Sequence, residues 1–584
     1  MQETRPDTYD ALVENIVTSQ RRTARKLAFL LLPVAQAVLG AVLAGAVAGI
    51  HAAPTGGQVN AGSGKISQTG PAVTIEQSSP HLSINWQSFS IGAAESVVFR
   101  QPSAQAIALN RILGQDPSVI LGKLSANGQV FLLNPNGVLF GPGAHVDVGG
   151  IVASTLGLSD ADFLAGRYTL SGSGSGSVTN RGTIQAADGG YVALVGPRVA
   201  NEGVISARLG TVGLGAGEQV TLKIDGQQLV AFNVDKAAVD ALVSNKQLIR
   251  ADGGTVILSA KAKDALLSTV VNNEGIVEAR SISFRNGVIR LEGGTSGVVS
   301  VSGKLDASGA NGGEHGGQIK VTGEKVALLD GALVDVSGRS GGGTVLLGGD
   351  YQGKNAAIQN ASRTYVAPTA SIRADATGAG NGGKVVVWAD GDTRFRGTVS
   401  ARGGERGGNG GFVEVSGKRQ LGFDGRVDTS AAHGAIGTLL LDPDDLYVSA
   451  GVVGGGALPD ATNPFQAIDG VNNYYVLAAT LTALPVATAV QLQANGNIIF
   501  QTNLAMPTTA AGSITMTAAN GIQMAGLPGC ATPRRWNHHH SHFGLQGENQ
   551  QVFLSRPDRP WWASPAGRDP GSGSEGPPGR AGVP

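Results

Sequence analysis

The chain has 584 residues, a formal net charge of zero and only 15% charged residues, so its composition gives no reason to expect nucleic acid as a partner. Glycine numbers 89, about twice the usual share, yet apolar residues make up 41%, which excludes a disordered polymer. A single cysteine, Cys530, excludes an internal disulfide framework and any multi-cysteine metal site.

The first 26 residues are polar and end in a basic cluster of Arg21, Arg22, Arg25 and Lys26. Leu27–Ile50 then carries no charge, and His51-Ala52-Ala53-Pro54 follows. Basic, apolar and small-residue regions in that order predict a secretory signal peptide over residues 1–52, read by the inner-membrane export machinery. A stretch of this length would also span a bilayer. Pro33, Gly40, Gly45 and Gly49 favour a cleaved signal, with the cut near Ala52 or Ala53.

From Ala53 onward, apolar runs of about four to six residues alternate with Gly, Asn, Asp and Ser, the texture of strands and tight turns. Two stretches predict short helices: Ser159–Ala165, and Asp235–Lys246, where Val239, Leu242 and Val243 recur at helical spacing. The most informative stretch is Gln129–Gly150, QVFLLNPNGVLFGPGAHVDVGG. Two apolar runs flank Asn134-Pro135-Asn136-Gly137. Asn first, Pro second and Gly fourth suit a type I turn. Asn127-Gly128 lies just upstream as a second polar corner, and Gly141-Pro142-Gly143 punctuates the chain again after Phe140.

Ahead of these stand INWQSFSIG (Ile84–Gly92), ESVVFRQPS (Glu95–Ser103), ALNRILG (Ala108–Gly114) and SVILGKLSANG (Ser118–Gly128). With FLLNPNGVLFG, this ordered series closely resembles the secretion domain of filamentous-haemagglutinin-type exoproteins of two-partner secretion systems. The likeness is strongest over residues 53–159 and continues as repeat texture to about residue 525. It implies a protein that is secreted through the periplasm and outer membrane to the cell surface. Its partner would be an outer-membrane β-barrel transporter whose periplasmic domains bind the secretion domain, a contact that pairing with an unpaired strand edge would supply. Asn134, Pro135, Asn136 and Gly137 match the family's signature turn, and Asn127 and Gly128 join them as candidate site residues. Their role is either recognition of the transporter or fixing of the fold, with the structural role favoured. The family's other short Asn-Pro motif is not recognisable.

Internal repeats define the architecture. Asn180–Ala186 (NRGTIQA) returns as Asn201–Ala207 (NEGVISA) and Asn273–Ala279 (NEGIVEA), and Asp188–Leu194 matches Asp252–Leu258. Glycine-led strands begin at Gly317, Gly343, Gly383 and Gly411. A period near 20 residues predicts an all-β, right-handed parallel β-helix with short capping or extra-helical elements. The expected organisation is a secretion domain over 53–300, further β-helix repeats over 301–525, and an atypical tail over 526–584.

No catalytic constellation stands out in the sequence, which has no H-E-x-x-H and no P-loop, so no enzyme and no cofactor are expected. Asp442-Pro443-Asp444-Asp445 is the nearest thing to a calcium site, but a turn after a buried strand is the favoured reading. In the tail, Trp536–Phe543 (WNHHHSHF) has the composition of a metal-binding tract. Enrichment of Arg, Pro, Gly and Trp there favours a disordered or out-of-frame segment, and hence a truncated remnant of a longer exoprotein. The function expected is that of an adhesin-like exoprotein meeting host or bacterial surface glycans or proteins. A cytolysin of the same route and a β-helix polysaccharide-degrading enzyme are the alternatives.

Overall fold

The computed structural model describes residues 53–263, 269–450, 474–485, 487–502 and 514–524. The signal sequence over 1–52 and the tail with Cys530 and Trp536–Phe543 lie outside the described residues.

The described chain is a parallel β-helix whose coils each present three faces. Gln129–Gly150 is one complete turn of it. Lys123–Leu133 is a long strand bent at Asn127-Gly128; Val138–Phe140 forms the third face; His145–Ser154 begins the next turn. Residues Val130, Ile151, Val192, Val212 and Val256 stack in register from coil to coil, each fully buried. Ile289, Ile319, Val345, Val385 and Val413 continue the same column. Burying each such side chain contributes about 1.5–3 kcal/mol, and one continuous core runs from Val73 to Ile522. Pairing proceeds without a break across residues 300 and 301, so the two expected repeat stretches share that core.

At one corner the coils approach too closely for side chains. A Cβ on Gly190 would lie 2.0 Å from Gly149 O, on Gly210 1.9 Å from Gly190 O, and on Gly254 2.1 Å from Gly210 O. Gly317, Gly343, Gly383, Gly411 and Gly437 repeat the arrangement farther on. The glycine-led strands of the sequence are therefore demanded by backbone contact.

A second corner carries an asparagine ladder. Asn180 Nδ2 donates to Asn201 Oδ1, Asn201 to Asn245 and Asn245 to Asn273, each at 2.8 Å, and all four side chains are fully buried. The spacings of 21, 44 and 28 residues between them correct the expected period. Early coils keep about 21 residues, whereas several later ones take 27 or 28, as cross-coil contacts at Arg250–Glu278 and Asp375–Arg402 repeat, and the step from Leu333 to Ser371 takes 38. The added residues form glycine-rich loops such as 308–316 and 402–410.

Two elements lie off the coil. At the start, Gln58–Ala61 and Gly64–Thr69 pair antiparallel with His81–Trp86 and Ala72–Gln77, closing the first coil. Beside the early coils, Tyr168–Ser171, Gln219–Asp225 and Gln228–Lys236 form a three-stranded antiparallel sheet. With the helix Asp160–Leu164, capped by Ser159 accepting from Asp162 N–H, this sheet covers the outer side of the coils. Phe131, Leu133, Tyr191, Phe163, Leu222 and Phe232 share that second core. Strands such as Phe131–Leu133 are thus apolar on both faces.

The helix expected over Asp235–Lys246 is absent. Asp235 and Lys236 end a strand, and Leu242–Asn245 is another that pairs with Arg198–Asn201. Val239 is 64% exposed, so the helical spacing of its apolar residues marked no buried face. The 44-residue step to Asn245 accommodates the antiparallel hairpin.

Replacing Gly210 by Ala should force two coils apart, destabilising the protein by at least about 2 kcal/mol. Gly312→Ala, where nothing lies within 4 Å of the added atom, should change stability by less than about 0.5 kcal/mol. Equilibrium urea denaturation checks both.

Candidate functional site

The two motif corners sit on consecutive bends of one coil. At the first, the Asn127 side chain pairs with the Gln101 backbone as a strand would, accepting from its N–H and donating to its C=O, both at 2.8 Å. Gly128 N–H donates to Gln101 Oε1 at 3.0 Å. A Cβ on Gly128 would meet Ala106 O and Gln101 Oε1, both at 2.7 Å. Gln101 itself reaches Gln77 Oε1, Ala106 O and Gln129 O, and Gln129 takes the Tyr191 hydroxyl at 2.6 Å. This buried glutamine network was not read in the sequence. Only the apolar runs around each Gln hinted that its amide would be enclosed.

At the second corner, Gly137 N–H donates to Asn134 O at 3.1 Å, closing the predicted turn, and Gly137 has φ +127°, a conformation suited to glycine. Asn134 is fully buried. Its Nδ2 donates to Asp116 O at 2.9 Å and Ser118 Oγ at 3.0 Å, while its Oδ1 accepts from Asn136 N–H at 3.0 Å. Asn136 Nδ2 then holds Gly114 O at 2.9 Å. Pro135 and Asn136 are the exposed members. Gly176, from SGSGSGS, passes so near that a Cβ would lie 2.5 Å from Pro135 O.

The upstream motifs are wired to the same coils. Trp86 Nε1 donates to Asn110 Oδ1 at 3.0 Å, and Asn110 Nδ2 reaches Phe131 O at 3.2 Å. Arg111 donates to Leu158 O and Asp160 Oδ1, tying the coil to the helix. Burial works to raise the Asp160 pKa, but hydrogen bonds from Arg111 and Ser83 outweigh it and hold the carboxyl below its usual range.

Across residues 50–321 the chain matches the family model described as TPS secretion domain. Its fold aligns with the crystal structure of the HMW1 secretion domain from Haemophilus influenzae, with a TM-score of 0.58, 31% identity, and coverage of 65% of this chain and 99% of that one. The chain belongs to the two-partner secretion (TPS) exoproteins. Such exoproteins are secreted across the outer membrane to the cell surface or the medium. A heme/hemopexin-binding protein of Haemophilus influenzae strain Rd is 31% identical over 319 residues, 51% of this chain and 33% of that protein. A second protein of that name from the species is 30% identical over 247 residues, 38% of this chain and 26% of the relative. The TPS chain thus spans about a third or less of the length of these curated relatives.

The Asp442–Asp445 carboxylates diverge. Asp442 accepts from Gln352 Nε2 at 2.6 Å, Asn495 Nδ2 reaches Asp444 at 3.3 Å, and Asp445 accepts from Asn497 N–H at 2.7 Å. Gln352, at φ +52° in the turn Tyr351–Gly353, also gives its N–H to both oxygens of fully buried Glu414. Burial, reinforced by the Asp442 carboxylate, pushes Glu414 up to about 7. Burial likewise raises Asp442. In the same loop burial opposes ionisation of Asp350, but hydrogen bonds from Asn355 and Lys384 prevail and hold it at about 2.

A folded pKa above the unfolded value means that folding favours the protonated Glu414. That contribution is complete below about pH 4.3, the unfolded value, and is lost as pH rises through about 7. Asp350 acts oppositely and only in acid, losing its contribution as pH falls toward about 2. Amide protection of residues 348–362, corrected for intrinsic exchange, should therefore fall between pH 5 and 8. In Glu414→Gln that fall should be largely abolished.

Proposed function

We propose that this TPS chain is a non-enzymatic, adhesin-like exoprotein exported through an outer-membrane β-barrel partner. Residues 1–52 act as the cleaved inner-membrane signal, residues 53–300 as the address read by the partner's periplasmic domains, and residues 301–525 as displayed repeats. The observation that carries this reading is the family match over residues 50–321, which covers the coils holding both motif corners.

The physics of the coil suits such a route. Most coil strands pair with the coil before and after them, so each emerging coil can fold on the last one formed. The described coils contain no cysteine, and no cross-link opposes threading. Asn127, Gly128, Asn134 and Gly137 act by shaping that address, since their polar groups are spent on neighbouring coils. Long ladders of repeated faces favour contact with surfaces over a reaction in a deep pocket.

Export should require the partner. In a host carrying only one cognate transporter, the protein should reach the surface or medium, and deletion of that transporter should leave it in the periplasm. Undiminished surface delivery after the deletion would sink the proposal.

A further inference from the structure

Beyond the secretion coils the third face splits open. Gln420–Phe423 and Leu446–Ser449 are its neighbouring strands, but they do not pair directly. Tyr474–Leu477 enters between them, with Val476 opposite both Phe423 and Val448. Phe423 N–H donates to Tyr475 O at 3.1 Å. Only the far ends of the strands are bridged in this way. Toward their beginnings, Gln420 and Leu421 face Asp445 and Tyr447 across a cleft of about 290 Å³.

The walls of the cleft are aromatic and hydrogen-bonding. Tyr447 and Tyr475 meet edge to face, with ring centres 6.2 Å apart and planes at 87°. Tyr474 is braced by the Arg394 guanidinium 5.1 Å from its ring centre. The side chains of Gln420 and Gln501 and the hydroxyls of Tyr447 and Tyr475 make no hydrogen bond among the described residues. Arg419 is held by Asp392 through Nε and Nη2, which offsets its charge, and the Asp445 carboxylate also borders the space.

Aromatic rings at right angles present a flat apolar platform beside a polarised edge. Free amides and phenols supply both donors and acceptors. A ligand with one apolar C–H face and a rim of hydroxyls matches that combination. The volume is near the lower end for small-ligand sites and fits about one or two sugar rings. An acidic sugar would meet Asp445 and find Arg419 already paired. A large flat macrocycle would need a wider and more apolar slot.

We propose that this cleft, bounded by Gln420, Tyr447, Tyr475 and Gln501, binds a neutral saccharide. The proposal deepens the surface-contact reading above and depends on it only for access to the ligand.

The test uses the secreted full chain against a panel of immobilised neutral mono- to tetrasaccharides, with hemin titrated separately. At least one neutral saccharide should bind, and Tyr447→Ala and Gln420→Ala should each weaken it by about tenfold or more. Tyr447→Phe and Gln501→Ala, gentler changes, should weaken it measurably while leaving the unfolding midpoint unaltered. Phe284→Ser, at a 98% exposed ring elsewhere, should not alter binding. Overturning results are binding of no saccharide, binding indifferent to these variants, or hemin binding that the same variants abolish. An unaltered chain that reaches the surface normally yet binds no saccharide would refute the saccharide site and leave the export reading standing.

Discussion

Backbone contact at one corner governs this molecule. Where the carbonyl of one glycine lies about 2 Å from the position a Cβ would take on the next, as for Gly190 over Gly149 and Gly210 over Gly190, successive coils close to ladder distance only if that corner has no side chain. Close stacking sets the register of the strands beside it. That register brings the valine and isoleucine columns into line and places the four ladder asparagines within 2.8 Å of each other. A buried amide left without its neighbour would cost about 1–3 kcal/mol, so the ladder and the glycine column hold one another in place.

Much of this was legible because each feature has a local signature. Asn134–Gly137 could be read as a turn from Pro135 and Gly137 alone, and the glycine-led strands could be read from their recurrence. The repeat NRGTIQA pointed to the ladder through Asn180, Asn201 and Asn273, but Asn245, in NKQLIRA, escaped because only its Asn, Ile and Ala are shared. The period was misjudged for a related reason. Ladder pairing fixes the strands and leaves corner loops free to lengthen, so a spacing measured between two early coils did not hold for the later ones. At Asp235–Lys246, pairing with neighbouring strands overrode a short helical pattern of apolar residues.

The sequence proposed both corners and favoured a fold-fixing role for them, but not the contacts by which they would fix it. Asn134 and Gly128 are turn residues when written in a line. In the fold, one is enclosed with its amide fully used, and the other is pressed against three oxygen atoms. Their identity is explained by packing before any partner is considered. The buried Gln77–Gln101–Gln129 chain and the cover supplied by the antiparallel sheet depend on contacts distant in sequence, which no local pattern announces. The distal coils diverge in another way: loops over Glu414 and a split beside Tyr447 interrupt an otherwise regular surface, and these interruptions carry the chemistry that the repeats lack.

The central claim is that the Asn134–Gly137 corner serves export through the fold it fixes. The most direct measurement is export and unfolding free energy in the same variants, produced beside the cognate transporter. Asn134→Ala should lose about 2 kcal/mol or more and be exported poorly, whereas Pro135→Ala, at an exposed position, should keep both near their starting values. A Pro135→Ala protein that folds with full stability yet stays in the periplasm would contradict the account.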